Sequence, residues 1–239
     1  MATGKKRVDL GRVVINGRHG PMLKAISLSL EQGKAVFVAA EPGHGHLALA
    51  LAATGRFSPD SGTVLLNGVN DPDQLKRVAA LVDVPTVNEP VDVVTVRTTV
   101  AEFLAIAGSN ASRRSVTNWL EENGFSGHAH TIVENLDPYT RTALMAALAA
   151  EDPQVRFLIF SLPDRHGGNP VQWYQLAQDY AARDYGVLVT CNKSTAHILI
   201  DQGWLAPADE DAAGAESTGT RPTRQDPMQA GEIEMEILV

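Results

Sequence analysis

The stretch from Val36 to Ala53 limits this chain more than any other. Val36-Phe37-Val38-Ala39-Ala40 is a continuous apolar run, as expected of a strand buried on both faces. Glu41-Pro42-Gly43-His44-Gly45 follows as a glycine-rich turn. Leu47-Ala48-Leu49-Ala50-Leu51-Ala52-Ala53 then reads as helix, because it is built from strong helix formers. Strand, glycine turn and helix in that order form a phosphate-binding α/β unit, in which backbone N–H groups at the helix start face an anion.

The remaining pattern extends that unit. Val13-Val14-Ile15 and Ile26-Ser27-Leu28-Ser29-Leu30 are strand-like, the second with period-2 alternation. A turn cluster, Phe57-Ser58-Pro59-Asp60-Ser61-Gly62, leads to a short strand over 63–66 that closes at Asn67-Gly68. Residues 99–107, 115–123, 140–150 and about 171–183 read as helices, and Phe157–Phe160 and Val187–Thr190 as further buried strands. Strands alternating with helices predict an α/β domain with a largely parallel sheet. The 239 residues, 44% of them hydrophobic, suffice for one such domain with a small subdomain.

Charge divides the chain in two. Residues 206–239 hold eight acids against Arg221 and Arg224, and so carry −6 of the formal net charge of −8. This tail is expected to be disordered, with Ile233-Glu234-Met235-Glu236-Ile237 inside a possible terminal strand over 232–238. The nearly neutral body, residues 1–205, lacks the basic footprint of a nucleic-acid binder. No apolar run approaches a membrane span, and no signal peptide is read at the basic start. The single cysteine, Cys191, excludes an internal disulfide framework and suits a reducing compartment.

The segment LKAISLSLEQGKAVFVAAEPGHGHLALALAATGRFSPDSGTVLLNG, residues 23–68, resembles the opening of the ATP-binding subunits of ABC transporters. TGRFSPDSGTVLLNG, residues 54–68, is its most specific part, and the resemblance extends over about residues 7–204. It implies a P-loop NTPase-like nucleotide-binding domain with a small antiparallel β subdomain and a reduced helical subdomain over about 97–150.

The same resemblance, followed position by position, implies loss of the chemistry. In the GxxxxGK[ST] register the turn keeps Gly43 and Gly45, but His46 stands for the phosphate lysine and Leu47 for the Mg²⁺-binding hydroxyl. The loop glutamine falls near Asp83. No glycine pair precedes the helix at Arg141. The strand-end acidic pair falls on Ser161 and Leu162, the next loop aspartate on Gly168, and the switch histidine on Cys191. Phosphoryl transfer depends on charge stabilisation and positioning, so loss of these groups together predicts an inactive ATPase. Nucleotide or phosphate binding then falls to the backbone of Gly43, His44, Gly45, His46, Leu47 and Ala48, so that ATP would bind without a well-formed Mg²⁺ site.

The resemblance further implies a cytoplasmic subunit at the inner face of a membrane. Its partners would be an integral membrane transporter subunit and a second, active ATP-binding subunit. The segment after Asp83 would line the membrane subunit's docking groove, with Val84, Val87 and Pro90 as candidate contacts. The competing reading is that Val91–Val96 forms a buried edge strand under the helical subdomain, which would account for half of the apolar residues there. A slow but genuine ATPase and a free-standing interaction protein remain as alternatives.

Other clusters are read blandly. His44/His46 and His128/His130 read as solvated loop histidines, and His19 as a surface turn residue. Asp164-Arg165-His166-Gly167-Gly168 reads as a turn with local Arg–Asp pairing. Asn110-Ala111-Ser112 is a chance sequon, and Cys191 a small core residue.

Overall fold

A computed structural model describes residues 4–206 and the backbone of 234–237. Two sheets organise the chain. β1 (Arg7–Gly17), β2 (Gly20–Glu31) and β4 (Ser61–Leu66) form an antiparallel sheet in the order β2-β1-β4. β3 (Ala35–Ala40), β5 (Ala79–Val82), β6 (Phe157–Ser161), β7 (Gly186–Asn192) and β8 (Glu234–Ile237) form a parallel sheet in the order β5-β6-β7-β3-β8. The domain is thus mixed α/β.

Alternation along the central strands sends side chains to both faces. Phe37, Leu158, Phe160, Val187, Val189 and Cys191 join one core. It is closed by helices α5 (Pro138–Ala149), α6 (Pro170–Ala182) and α7 (Lys193–Asp201), with α3 (Val96–Ile106) and α4 (Arg113–Glu122) packed beyond. Val36, Val38, Phe157, Ile159 and Leu188 join a second core, shared with α1 (Gly45–Ala53), α2 (Pro72–Val78) and the antiparallel sheet. Continuous apolar strands are what two covered faces require.

Local chemistry sets several boundaries. Asp71, Thr95, Ser112, Asp137 and Asn169 cap α2 to α6, each side chain accepting a backbone N–H of the first turn. Helix α1 begins after His44 with no side-chain cap, so its first N–H groups are open. β8 pairs with β3 in parallel, from Val36↔Glu234 to Ala39↔Ile237. The alternating terminal segment therefore completes an edge of this chain's own sheet. The remainder of the predicted disordered tail lies outside the described residues.

One expectation needs correction. The proposed edge strand over Val91–Val96 does not form: residues 92–94 are in turns, and Val91 and Val93 are 57% and 73% exposed. The edge is instead β5, directly after α2, where Leu75, Val78, Leu81 and Val82 are buried. α2, β5 and α7 are absent from the sequence reading.

Candidate functional site

The carboxyl ends of β3, β5, β6 and β7 gather the predicted site residues into two neighbouring groups. The first surrounds the glycine turn. A cavity of about 730 Å³ lies between that turn and the β1–β2 hairpin. Its walls include His19, Met22 and Lys24 from the hairpin, and Ala40, Glu41, Gly43, His44 and Gly45 from the turn. His19 and His44 are exposed, as solvated loop histidines should be. Gly45 approaches the hairpin so closely that a Cβ there would meet the Met22 carbonyl at 3.1 Å.

His46 departs from the solvated-histidine expectation. It is only 2% exposed, within α1, and its Nε2 lies 3.2 Å from the Glu41 carbonyl oxygen. Nε2–H donates to that carbonyl, so the ring turns back onto its own loop. Burial lowers its pKa, against the Glu41 hydrogen bond and the Asp164 charge, which favour protonation. The ring is therefore neutral at pH 7 and supplies no cation to a phosphate. Leu47 is partly buried against the core of α1 and the antiparallel sheet. A hard cation requires oxygen ligands, and Leu47 offers none at the position the hydroxyl would hold. The open N–H groups of the turn do fit an anion.

The second group centres on Asp83, the residue at the expected glutamine position. It is buried at the end of β5, with positive φ (49°). Arg141 Nε donates to Asp83 Oδ2 at 3.1 Å, and His166 Nε2 to the same oxygen at 2.9 Å. Arg165 Nη2 lies 2.9 Å from Oδ1. Burial alone would raise the carboxyl pKa. The bonds from His166 and Arg141 and the charges of Arg165 and Arg141 outweigh it and lower the value to about 2. Arg141 also pairs with Asp92 at 2.7 Å, and Arg165 lies 3.8 Å from Glu89.

The loop after β6 supplies the other half of this group. Leu162 has φ 52° and turns the chain into a 3-10 turn over Pro163–His166. Non-glycine residues at positive φ carry strain, and Asp83 and Leu162 place two of them at adjacent strand ends. The local Arg–Asp pairing expected here does not form. Arg165 reaches across to Asp83, while Asp164 Oδ2 accepts from Asn192 N and Thr195 Oγ1, both at 2.8 Å. Ser161 Oγ, Asp164 Oδ1 and Asn192 Oδ1 are buried without a protein partner. Gly168 sits over Pro138, where a Cβ would meet the ring at 3.0 Å. Cys191 is fully buried, and desolvation, with the Asp164 charge, pushes its thiol pKa up to about 12.

Sequence reasoning missed the roles of Arg141, Arg165 and His166. Their spacing from Asp83 across the chain left no local signal. The docking candidates are corrected as well: Val84 and Pro90 are buried, and only Val87, 45% exposed, faces solvent.

What fold and site define together is an α/β domain with a glycine turn at the switch from sheet to helix, flanked by an antiparallel subdomain. No protein-family model matches the sequence, and no curated protein matches it. Solved structures match the fold. An ATP-binding subunit of an ABC transporter superposes with a TM-score of 0.57 at 14% identity, over 80% of this chain and 82% of the other. The ADP conformation of an ATP-binding cassette of an ABC transporter gives 0.58 at 14% identity, over 78% and 81%. At such identity the likeness is one of fold, and this chain has the fold of those ATP-binding subunits.

Proposed function

We propose that this protein is a non-catalytic subunit of ATP-binding-cassette type, with a structural or regulatory role beside a membrane transporter. The observation that carries this reading is the Asp83 cluster. Its carboxylate is consumed by Arg141, Arg165 and His166, at the strand ends where a hydrolase would turn polar groups toward nucleotide and Mg²⁺. The buried, neutral His46 and the apolar Leu47 and Leu162 support the same reading.

The partners in this reading are an integral membrane subunit and an active ATP-binding subunit that hydrolyses in its place. The protein then lies on the cytoplasmic side, peripheral to the membrane. Among the described residues no helix is long and apolar enough to cross one. The exposed part of the loop after Asp83, with Val87, Val91 and Val93, is the docking surface. The cavity at the glycine turn favours a second reading of the site, retention of nucleotide on backbone N–H groups without turnover.

An equilibrium titration with ATP, with and without Mg²⁺, tests the proposal. Either no binding or binding indifferent to Mg²⁺ is expected. Binding that Mg²⁺ strengthens tenfold or more, on the order of 1.4 kcal/mol, would overturn it.

A further inference from the structure

The outer edges of the two sheets differ in how they are guarded. β2 carries Pro21, Lys24 and Glu31 along its length. β5 has two carbonyls capped by side chains: Arg56 Nη1 donates to Ala79 O at 3.0 Å and Asn88 Nδ2 to Leu81 O at 2.8 Å. β8 has Glu234 and Glu236 among its four residues. Charges, prolines and covering groups of this kind keep a sheet edge from pairing with another chain. β4 has neither charge nor proline, only Ser61-Gly62-Thr63-Val64-Leu65-Leu66.

Hydrogen bonding shows which groups of β4 are open. Asn67 N donates to Arg7 O at 2.8 Å, so Arg7 and Asn67 form a bonded pair at the end of the β1–β4 ladder. Antiparallel alternation then bonds Leu65 to Asp9 and Thr63 to Gly11, and turns the N–H and C=O of Leu66 and Val64 away from β1. Leu66 spends its outward groups on the next turn, its N–H donating to Val69 O at 2.8 Å and its C=O accepting from Val69 N at 3.0 Å. Val64 has no such neighbour: among the described residues no hydrogen bond reaches its outward N–H or C=O. The register shift between Gly11 and Val14, with Gly62 at φ 86°, bends the start of the strand and leaves 63–66 as its regular part.

The two ends of β4 identify what fits this edge. Phe57 precedes the strand and Val69 follows it, 45% and 60% exposed. A second β4 running antiparallel brings the Phe57 end of one copy to the Val69 end of the other, and two uncharged strands set no like charges opposite each other. We propose that β4 is the contact edge of a two-fold dimer, in which the antiparallel sheets of two copies of this chain join into one continuous sheet. With the axis beside Val64, its N–H donates to the partner's Val64 C=O and its own C=O accepts in return, while Thr63 faces the partner's Leu65. The same edge serves both copies, as a closed two-fold contact requires. One strand pair makes a small interface, so the dimer is weak and forms as concentration rises. The contact uses no residue of the glycine turn or of the loop after Asp83, and it is tested independently of the function proposed above.

The test is sedimentation velocity of the full-length protein from about 1 μM to 1 mM, with melting temperature as the check on folding. Wild type is expected to shift from monomer toward dimer across this range, and hydrogen exchange at the Val64 amide to slow in step. Val64→Pro removes the donors of both inter-copy bonds, at an edge position where proline is tolerated, and should weaken the dimer at least about tenfold. Thr63→Lys, at an exposed position, puts charge on the edge and should also weaken it while leaving the melting temperature unchanged. If Val64→Pro lowers the melting temperature, Thr63→Lys decides. A protein that stays monomeric throughout would overturn the proposal and leave this edge to a strand of another protein. A dimer that Thr63→Lys leaves intact, or one in which the Val64 amide exchanges as fast as in the monomer, would overturn it as well.

Discussion

Replacing Asp83 by asparagine keeps the shape of the side chain and removes its charge. Two guanidinium groups, 8% and 19% exposed, then lose their buried counter-ion. Removing one partner of a buried pair costs about 3–5 kcal/mol. The lower end applies here, since Arg141 keeps Asp92 and Arg165 keeps Glu89. The carboxyl pKa gives an independent figure: lowering from 3.8 to about 2 corresponds to about 2 kcal/mol of differential stabilisation. A loss of about 2–3 kcal/mol in a domain of this size lowers Tm by roughly 4–12 °C.

The sign with pH follows from the depressed carboxyl. Its contribution is complete above the unfolded value of 3.8 and is lost as pH falls through the folded value of about 2. Urea unfolding of wild type and Asp83→Asn should therefore show the full difference at pH 7 and roughly half of it at pH 3. A difference below about 0.5 kcal/mol at pH 7 would refute the reasoning, as would one that does not shrink at pH 3.

Other outcomes follow from the same geometry. His46→Lys should leave ATP turnover at background, because Leu47 and Leu162 still lack the groups that hold metal and activate water; turnover in this variant would show that one side chain had silenced the site. Cys191, with its pKa raised to about 12, should resist a disulfide reagent at pH 8 in the native state, where thiolate is on the order of 10⁻⁴ of the total, and react fully in denaturant; fast native labelling would contradict its burial. Removing residues 232–239 strips β3 of its β8 neighbour, so the truncated chain should scatter light at lower temperature than wild type; identical behaviour would show that β8 contributes nothing to the sheet.

Much of the fold was legible because the strands are buried on both faces. Val36–Ala40, Phe157–Phe160 and Val187–Thr190 are apolar runs with no competing pattern, and all three are strands. The helical ranges 99–107, 115–123, 140–150 and about 171–183 lie within a few residues of α3 to α6, whose actual starts are set by the caps Thr95, Ser112, Asp137 and Asn169. Val91–Val96 misled because valine-rich sequence favours strands, while Pro90 and the hydrogen bond from Val94 N to Val91 O close it into turns. Short α2 and β5 escaped because seven and four residues give too little period to read. The site was half legible. Its substitutions stood in the glycine turn and at the strand ends. The ion cluster did not, because Asp83 meets Arg141 and His166 across 58 and 83 residues, and only the sheet brings them together.

The most direct test of the non-catalytic reading is a single-turnover experiment with the purified protein in excess over radiolabelled ATP and Mg²⁺, contaminating ATPases excluded by a denatured-and-refolded control. Phosphate release in the presence of the protein should be no faster than in buffer alone. Phosphate release that scales with protein concentration and survives the refolding control would contradict it.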